Sequence, residues 1–210
     1  MTEAEEAYIL AHSSAEPAQL SALYRDTYLK RLYPHMCCEP LQGRLLVLLT
    51  RMLRPMRILE LGTFSGYSTL CFAEGMPDGA QIHSVEIDDE AEEDLRALFA
   101  ASPRGADIHL HIGDALTVVP QISTQPWDLV YIDANKRSYA DYYNMVKTFV
   151  RPGGFIFADN TLWSDYVLDA AHHDAQTLGL RKFNDLVAAD PEVLKVILPL
   201  YDGLTLIQKL

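Results

Sequence analysis

No apolar run in this 210-residue chain approaches the length needed to span a bilayer. Its opening segment, "MTEAEEAYIL", is acidic where a secretory leader would be basic. Both features point away from membranes and predict a cytoplasmic protein. Cysteine is scarce: Cys37 and Cys38 are adjacent, and Cys71 falls in a predicted helix. Three is an odd count without metal-type spacing, so reduced thiols are expected rather than a disulfide framework. Positive charge is also short, because 17 Lys and Arg face 29 Asp and Glu for a net −12. That balance disfavours broad nucleic-acid binding. Repeats, low-complexity tracts and long linkers are missing too. What remains is 49% apolar, in a length that suits one domain over 1–210.

The first 55 residues read as a helical extension or cap. "AQLSALYRDTYLKRLY" spaces Leu20, Leu23, Tyr24, Thr27, Tyr28 and Leu32 along one face. "PLQGRLLVLLTRML" does the same with Leu41, Leu45, Leu48, Leu49, Met52 and Leu53, and "YPHMCCEP" between them reads as a loop. From residue 57 the pattern turns to alternating strands and helices. The strands are "RILELG", "QIHSVEID", "IHLHIGD", "WDLVYID", "GFIFADN", "VLKVILPL" and "LTLIQKL". "DDEAEEDLRALFAAS" carries an acidic first turn suited to a helix start. "SYADYYNMVKTFV" is a helix that Ser138 can cap and "RPGG" stops. Short apolar strands between helices predict a mainly parallel α/β sheet covered on both faces. The last two strands are joined only by "YDG", which leaves no room for a crossover helix. The expectation is a seven-stranded sheet whose final strand runs against the others.

Ligands of open α/β sheets bind beyond the carboxyl ends of the strands, and this chain loads those ends with polar residues. After the first strand, "ELGTFSGYS" offers a glycine turn and a helix start. A nucleotide-like cofactor would find Gly62, Thr63 and Ser68 along its amino-acid tail, with Glu60 reaching toward that end. A nicotinamide G-x-G-x-x-G fails at Phe64 and Tyr67, and a nucleophile elbow around Ser65 fails at Thr63 and Tyr67. Glu86, ending the second strand, is placed to accept ribose hydroxyls, and Asp114 and Ala115 to meet an adenine edge. Each also has a plain reading as a turn or a solvated acid. The fourth and fifth strands deliver Asp133 and the pair Asp159–Asn160 to one edge, with Lys136 a turn beyond Asp133. Two carboxylates and an amide oxygen suit a hard cation such as Mg²⁺, with Mn²⁺ or Ca²⁺ as substitutes, and no His or Cys joins them to favour zinc. Helix capping is the competing reading for Asp159 and Asn160.

"ELGTFSGYS", "DANKRSY", "GGFIFADNTLW" and "LPLYDGLTLIQKL", in this order and spacing, resemble the cation-dependent S-adenosylmethionine O-methyltransferases. These are the caffeoyl-CoA and catechol O-methyltransferase relatives, bacterial members included, and the likeness runs from about Tyr33 onward. It implies a Rossmann-like class I methyltransferase fold. It further implies a cation on Asp133, Asp159 and Asn160, Lys136 as general base with Asp133 sharing the catalytic role, and cofactor contacts at Glu60, Gly62, Thr63, Ser68, Glu86, Asp114, Ala115 and Asp133. Met36, seven residues before Gly43, matches a methionine of the catechol enzymes, and Cys38 then takes the place whose backbone meets the cofactor's carboxylate. Tyr139 and Trp163 are candidates to wall an aromatic acceptor, and core packing is the equal alternative.

Two positions depart from the pattern. Asn135 stands where plant members have the second acid of D-A-D-K, and Thr205 stands where catechol enzymes hold a substrate hydroxyl with an acid. The implied activity is methyl transfer from S-adenosylmethionine to a hydroxyl of a small catechol-like phenol by a chain that pairs as a homodimer. Two rival functions are a tRNA hydroxyuridine O-methyltransferase, against which the negative charge counts, and a cofactor-binding module without catalysis, against which the full metal set and Lys136 count. His109, His111, His172 and His173 are expected to be structural or solvated.

Overall fold

The computed structural model describes residues 2 to 210. Seven strands form: β1 (Arg57–Leu61), β2 (Gln81–Glu86), β3 (Ile108–Ile112), β4 (Trp127–Ile132), β5 (Val150–Ala158), β6 (Val193–Leu198) and β7 (Leu204–Lys209). They make one sheet in the order β3-β2-β1-β4-β5-β7-β6. Strands β1 to β5 pair in parallel, and β7 runs antiparallel to both of its neighbours. The last strand alone is reversed, as the short connection requires. Tyr201 and Gly203 turn that corner with φ of 46° and 88°. A Cβ at Gly203 would crowd the Leu162 side chain, so glycine is needed there for space as well as for conformation.

Helices α1 (Glu3–Ala11), α2 (Ala18–Lys30) and α3 (Pro40–Leu53) precede the sheet. Five more, α4 (Tyr67–Gly75), α5 (Glu92–Ala100), α6 (Ala115–Ile122), α7 (Tyr139–Phe149) and α8 (Ala175–Ala189), alternate with the strands. Along each strand the side chains alternate between two cores. Ile58, Ile82, Leu129, Tyr131 and Phe157 face α3, α4 and α5. Leu59, Leu61, Val130, Ile132 and Ile156 face α6, α7 and α8. Both faces are therefore apolar, which is why these strands read as unbroken hydrophobic runs.

Four expectations are corrected. Helix α2 stops at Lys30, so Leu32 leaves the face it was assigned to and lies exposed. Helix α3 has the expected bounds but its buried face is rotated: Gln42, Gly43, Leu46, Val47 and Thr50 turn inward, Leu45, Leu49 and Leu53 of the expected stripe pack at the margin of the core, and Leu48 and Met52 turn out. Small residues decide this. A Cβ on Gly43 would lie 2.8 Å from the Tyr67 ring, and one on Gly75 would lie 2.7 Å from Thr50. Close approach of α3 to α4 thus outweighs the larger leucine stripe. Finally, Ser138 stands at the start of α7 without a side-chain cap bond, and β5 begins at Val150, ahead of the double glycine.

Two of the four histidines expected to be structural or solvated, His109 and His111, gather with His83 at the open edge of the sheet, whereas His172 stacks on Tyr166 beside Asp169. Residues 83, 109 and 111 share the second face, and His83 Nδ1 lies 3.0 Å from His111 Nε2. The His83 ring stacks on His111 at 5.2 Å, lies tilted 4.6 Å from His109 and edges onto Trp127. The buried Nε2 atoms of His83 and His109 have no partner. Burial, reinforced by the two neighbouring histidines, pushes His83 down to about 3 from its ordinary 6.5. The unfolded chain therefore binds this proton more readily, and the stability it contributes near neutral pH is lost as pH falls through that window. His83→Leu should lose less stability than the wild type between neutral pH and about pH 4. Urea midpoints at the two pH values measure this, and equal losses in both proteins would clear His83 of the effect.

Candidate functional site

The strand order reverses between β1 and β4, and the polar residues collect beyond the carboxyl ends at this switch point. Backbone bonds stitch the ends together: Asp133 N–H donates to Leu61 O at 2.8 Å, and Asp159 N–H to Ile132 O at 3.0 Å. Gly62 follows β1 with φ of 95°. A Cβ there would overlap the carbonyl oxygen of Asp133, so only glycine lets the two strand ends approach so closely.

The turn from Gly62 to Gly66 is held from below by two acids. Glu86 takes four backbone N–H groups, from Thr63 and Phe64 on one oxygen and from Ile87 and Asp88 on the other, at 2.7 to 3.1 Å. Four donors match the usual capacity of a carboxylate, so Glu86 shapes the turn, and a ribose hydroxyl would have to displace one of them. Glu60 is fully buried. It accepts Ser68 Oγ at 2.6 Å, Ser84 Oγ at 2.5 Å and the Thr69 hydroxyl. Burial pushes Glu60 up to about 7 despite these three donors. It supports the turn from underneath and does not line the cleft, contrary to the expectation for it.

Met36, Cys37 and Cys38 from the loop before α3 form the opposite wall of a narrow cleft that includes Gly62, Thr63, Phe64, Ser65, Ser68 and Asp133. Burial lifts the Cys37 thiol to about 11 and Cys38 well above its ordinary value, so both pack as neutral thiols. Asp114 caps α6 by accepting Leu116 N–H at 2.7 Å, and Ala115 is buried beside it.

Asp159 is 3% exposed, and burial followed by the nearby Asp133 pushes it up to about 6. Lys136 Nζ donates to Asp133 Oδ1 and to Tyr139 Oη, both at 2.7 Å. One lysine serves two acids, so the site is short of positive charge. Hard oxygen donors with a charge deficit fit a divalent cation. Among the described residues no point gathers three or more His, Cys, Asp or Glu side chains, so a cation here would rest on two carboxylates and the amide of Asn160. Tyr139 is fully buried, its hydroxyl donating to Asp159 O at 3.0 Å and its ring packed on Phe183. It holds Lys136 and cannot wall an acceptor.

Beyond β5 the backbone is strained: Asn160, Trp163, Ser164 and Asp165 all take φ between 49° and 62°. The hairpin secures one side, with Asp202 O accepting Leu162 N–H at 2.7 Å and Gly203 O accepting Thr161 N–H at 3.0 Å. Two unanticipated residues on α8 secure the other. Asn184 donates to Thr161 O at 2.9 Å, and Arg181 spreads its guanidinium over the carbonyls of Tyr166, Val167, Asp169 and His172. Their only trace in the sequence is an Arg and an Asn three positions apart, one helical turn. Trp163 packs partly against the second core. Thr205 is buried and donates to Thr161 Oγ1 at 2.8 Å, so the position that departs from the catechol pattern turns into the fold. The other departure, Asn135, caps the turn at Lys136–Ser138 through Arg137 N–H at 3.2 Å.

A family model described as O-methyltransferase matches residues 10–210. The chain is 31% identical over 216 residues to O-methyltransferase ankF of Aspergillus thermomutatus, covering 96% of this chain and 90% of that protein. It is 30% identical over 181 residues to a catechol O-methyltransferase of Niastella koreensis, covering 82% of each. The O-methyltransferase TomG of Streptomyces achromogenes, solved with SAM, superposes with a TM-score of 0.90 at 29% identity, over 100% of this chain and 99% of that one. An O-methyltransferase from Bacillus cereus in complex with SAH gives 0.92 at 27% identity, over 99% and 97%.

Two glycines separate strain from crowding. Gly79 has φ of 80° with only the Met56 Cε atom nearby, whereas Gly62 faces the Asp133 carbonyl. Gly79→Ala should cost about 1–2 kcal/mol, the left-handed penalty alone, and Gly62→Ala clearly more. Denaturant unfolding of both variants measures the difference, and equal losses would show that the strand ends can part at little cost.

Proposed function

The chain belongs to the O-methyltransferase family, and on that footing we propose that it moves a methyl group from S-adenosylmethionine to one hydroxyl of a small catechol-like diol, with Mg²⁺ held by Asp133, Asp159 and Asn160. The approach of Asp133 and Asp159 beside Lys136, with Asn160 next in the chain and a glycine cleft alongside, supports this reading.

A free phenol ionises only near pH 10 and attacks poorly at neutral pH. A bound divalent cation would supply Lewis-acid stabilisation of the phenolate oxygen. The chain's own residues do the rest. Gly62, Thr63 and the Cys38 backbone border the cleft that receives the donor's amino-acid tail, and Asp114 and Glu86 stand at the strand ends facing its adenosine. A bound cation would favour the neutral amine at Lys136, and its Nζ, fixed by Asp133 and Tyr139, is then the nitrogen placed to take the acceptor's proton. The acceptor oxygen forms its bond to the methyl carbon as the carbon–sulfur bond breaks, and the electron pair stays on sulfur as a neutral thioether. Holding both reactants in line lowers the entropic barrier. With Thr205 turned into the fold, the acceptor hydroxyls are left to the cation and Lys136. Trp163 and Met36 border the acceptor side.

The chain is also proposed to pair with a second copy. Leu48 and Met52 on α3, and Leu194 and Val196 on β6, are each more than half exposed. Val196 lies opposite Leu206, and Leu206 packs on the same core as α3, so both stripes lie on one side of the sheet. Leu48→Asp with Val196→Asp should convert a dimer to a monomer by light scattering, and a monomeric wild type would refute the pairing.

Incubation with catechol, S-adenosylmethionine and Mg²⁺ should yield the methyl ether by mass spectrometry. Chelator should abolish turnover and Mg²⁺ restore it. Asp159→Ala should lose turnover while still binding the cofactor in calorimetry, and Lys136→Ala should slow the chemical step by about 10²–10⁴-fold. Full turnover after exhaustive metal removal would overturn the assignment.

A further inference from the structure

Asp159 is held by more than its strand. Its Oδ1 accepts the Asn160 N–H at 2.8 Å. Its Oδ2 accepts two side-chain donors, Gln42 Nε2 at 2.5 Å and Tyr131 Oη at 2.6 Å, and Gln42 also donates to Tyr131 Oη at 3.3 Å. Neither donor belongs to the proposed metal set. Gln42 is 3% exposed, and Tyr131 is fully buried with its ring edged onto Phe72. A buried amide and a buried phenol aimed at one carboxylate oxygen leave that oxygen little capacity for a further ligand. The remaining lone pair of Asp159 lies on Oδ1, beside Asn160.

Resting on the metal-dependent reading above, we propose that Gln42 and Tyr131 are positioning residues that orient Asp159 so that it meets the cation through Oδ1 alone. The helical extension is thereby part of the metal centre and not merely a cap over it. Packing makes the clamp stiff. Gly43, next to Gln42, lies against the Tyr67 ring, and Thr50, two turns on, lies against Gly75. Helix α3 therefore cannot slide along α4 without a clash, and Gln42 is delivered to a set point above β5. Partners of this outer kind typically set ligand direction and account for about 10–100-fold in metal affinity.

The test is Mn²⁺ binding to the whole chain, followed by electron paramagnetic resonance and calorimetry, in the wild type, Gln42→Leu and Tyr131→Phe. Each variant should bind Mn²⁺ about 10–100-fold more weakly. Its affinity for S-adenosylhomocysteine and its far-ultraviolet circular dichroism should match the wild type. Gln42→Met keeps the side-chain length and removes the donor without adding charge, and it should weaken Mn²⁺ binding as Gln42→Leu does. Tyr131→Phe removes a single oxygen and keeps the ring, so it reports even if a Gln42 variant fails to fold. Wild-type Mn²⁺ affinity in Tyr131→Phe and the folded Gln42 variants would overturn the positioning role and leave the proposed reaction standing. A wild type that takes up no Mn²⁺ would overturn both.

Discussion

Two carboxylates from neighbouring strands, one of them almost wholly removed from water, set the terms for the rest of this molecule. Asp159 and Asp133 repel one another, and burial removes the solvent that would screen them. Such a pair persists only if donors surround it. The fold supplies Lys136 to Asp133, and a backbone N–H, an amide and a phenol to Asp159. The supply still leaves a deficit of positive charge. That deficit supports the proposed cation site over a structural ion pair, since a purely structural role would be better served by apolar residues.

A second constraint is closeness. The ends of β1 and β4 approach so tightly at Gly62 that no side chain fits between them, and the turn that follows is fastened from beneath by Glu86 and Glu60. The acids most conspicuous in the sequence as ligands of a cofactor, Glu60 and Glu86, also fasten the fold, because their oxygens accept N–H and hydroxyl donors from it. The cleft above them is a rigid backbone surface whose shape depends on a polar layer below it. The post-β5 loop repeats this design, with strained residues kept in place by Arg181, Asn184 and the hairpin.

Much of the architecture was legible in the sequence for a simple reason. Strands buried on both faces must be apolar throughout, so "RILELG" or "WDLVYI" announces itself, and a three-residue connection can only reverse direction. The polar strand ends were legible because Asp133, Asp159 and Asn160 interrupt apolar runs. The orientation of α3 was not. Periodicity favours the face with the most leucine, whereas the structure centres burial on the face with glycine and threonine and keeps Leu45, Leu49 and Leu53 at its edge, since close approach to α4 requires small residues there. Tyr139 likewise sits at a suggestive place in the chain, yet its ring fills the core under Lys136.

The chain by itself determined the class of fold, the succession of strands and helices along it, and which strand ends carry acids, because these follow from local periodicity and from residues close in sequence. Only the tertiary structure decided which groups stand behind those acids. Gln42 and Asp159 are 117 positions apart, and nothing local to either predicts their hydrogen bond. Such contacts depend on how closely two helices pack and on which lone pairs remain unfilled, and those are properties of the assembled interior.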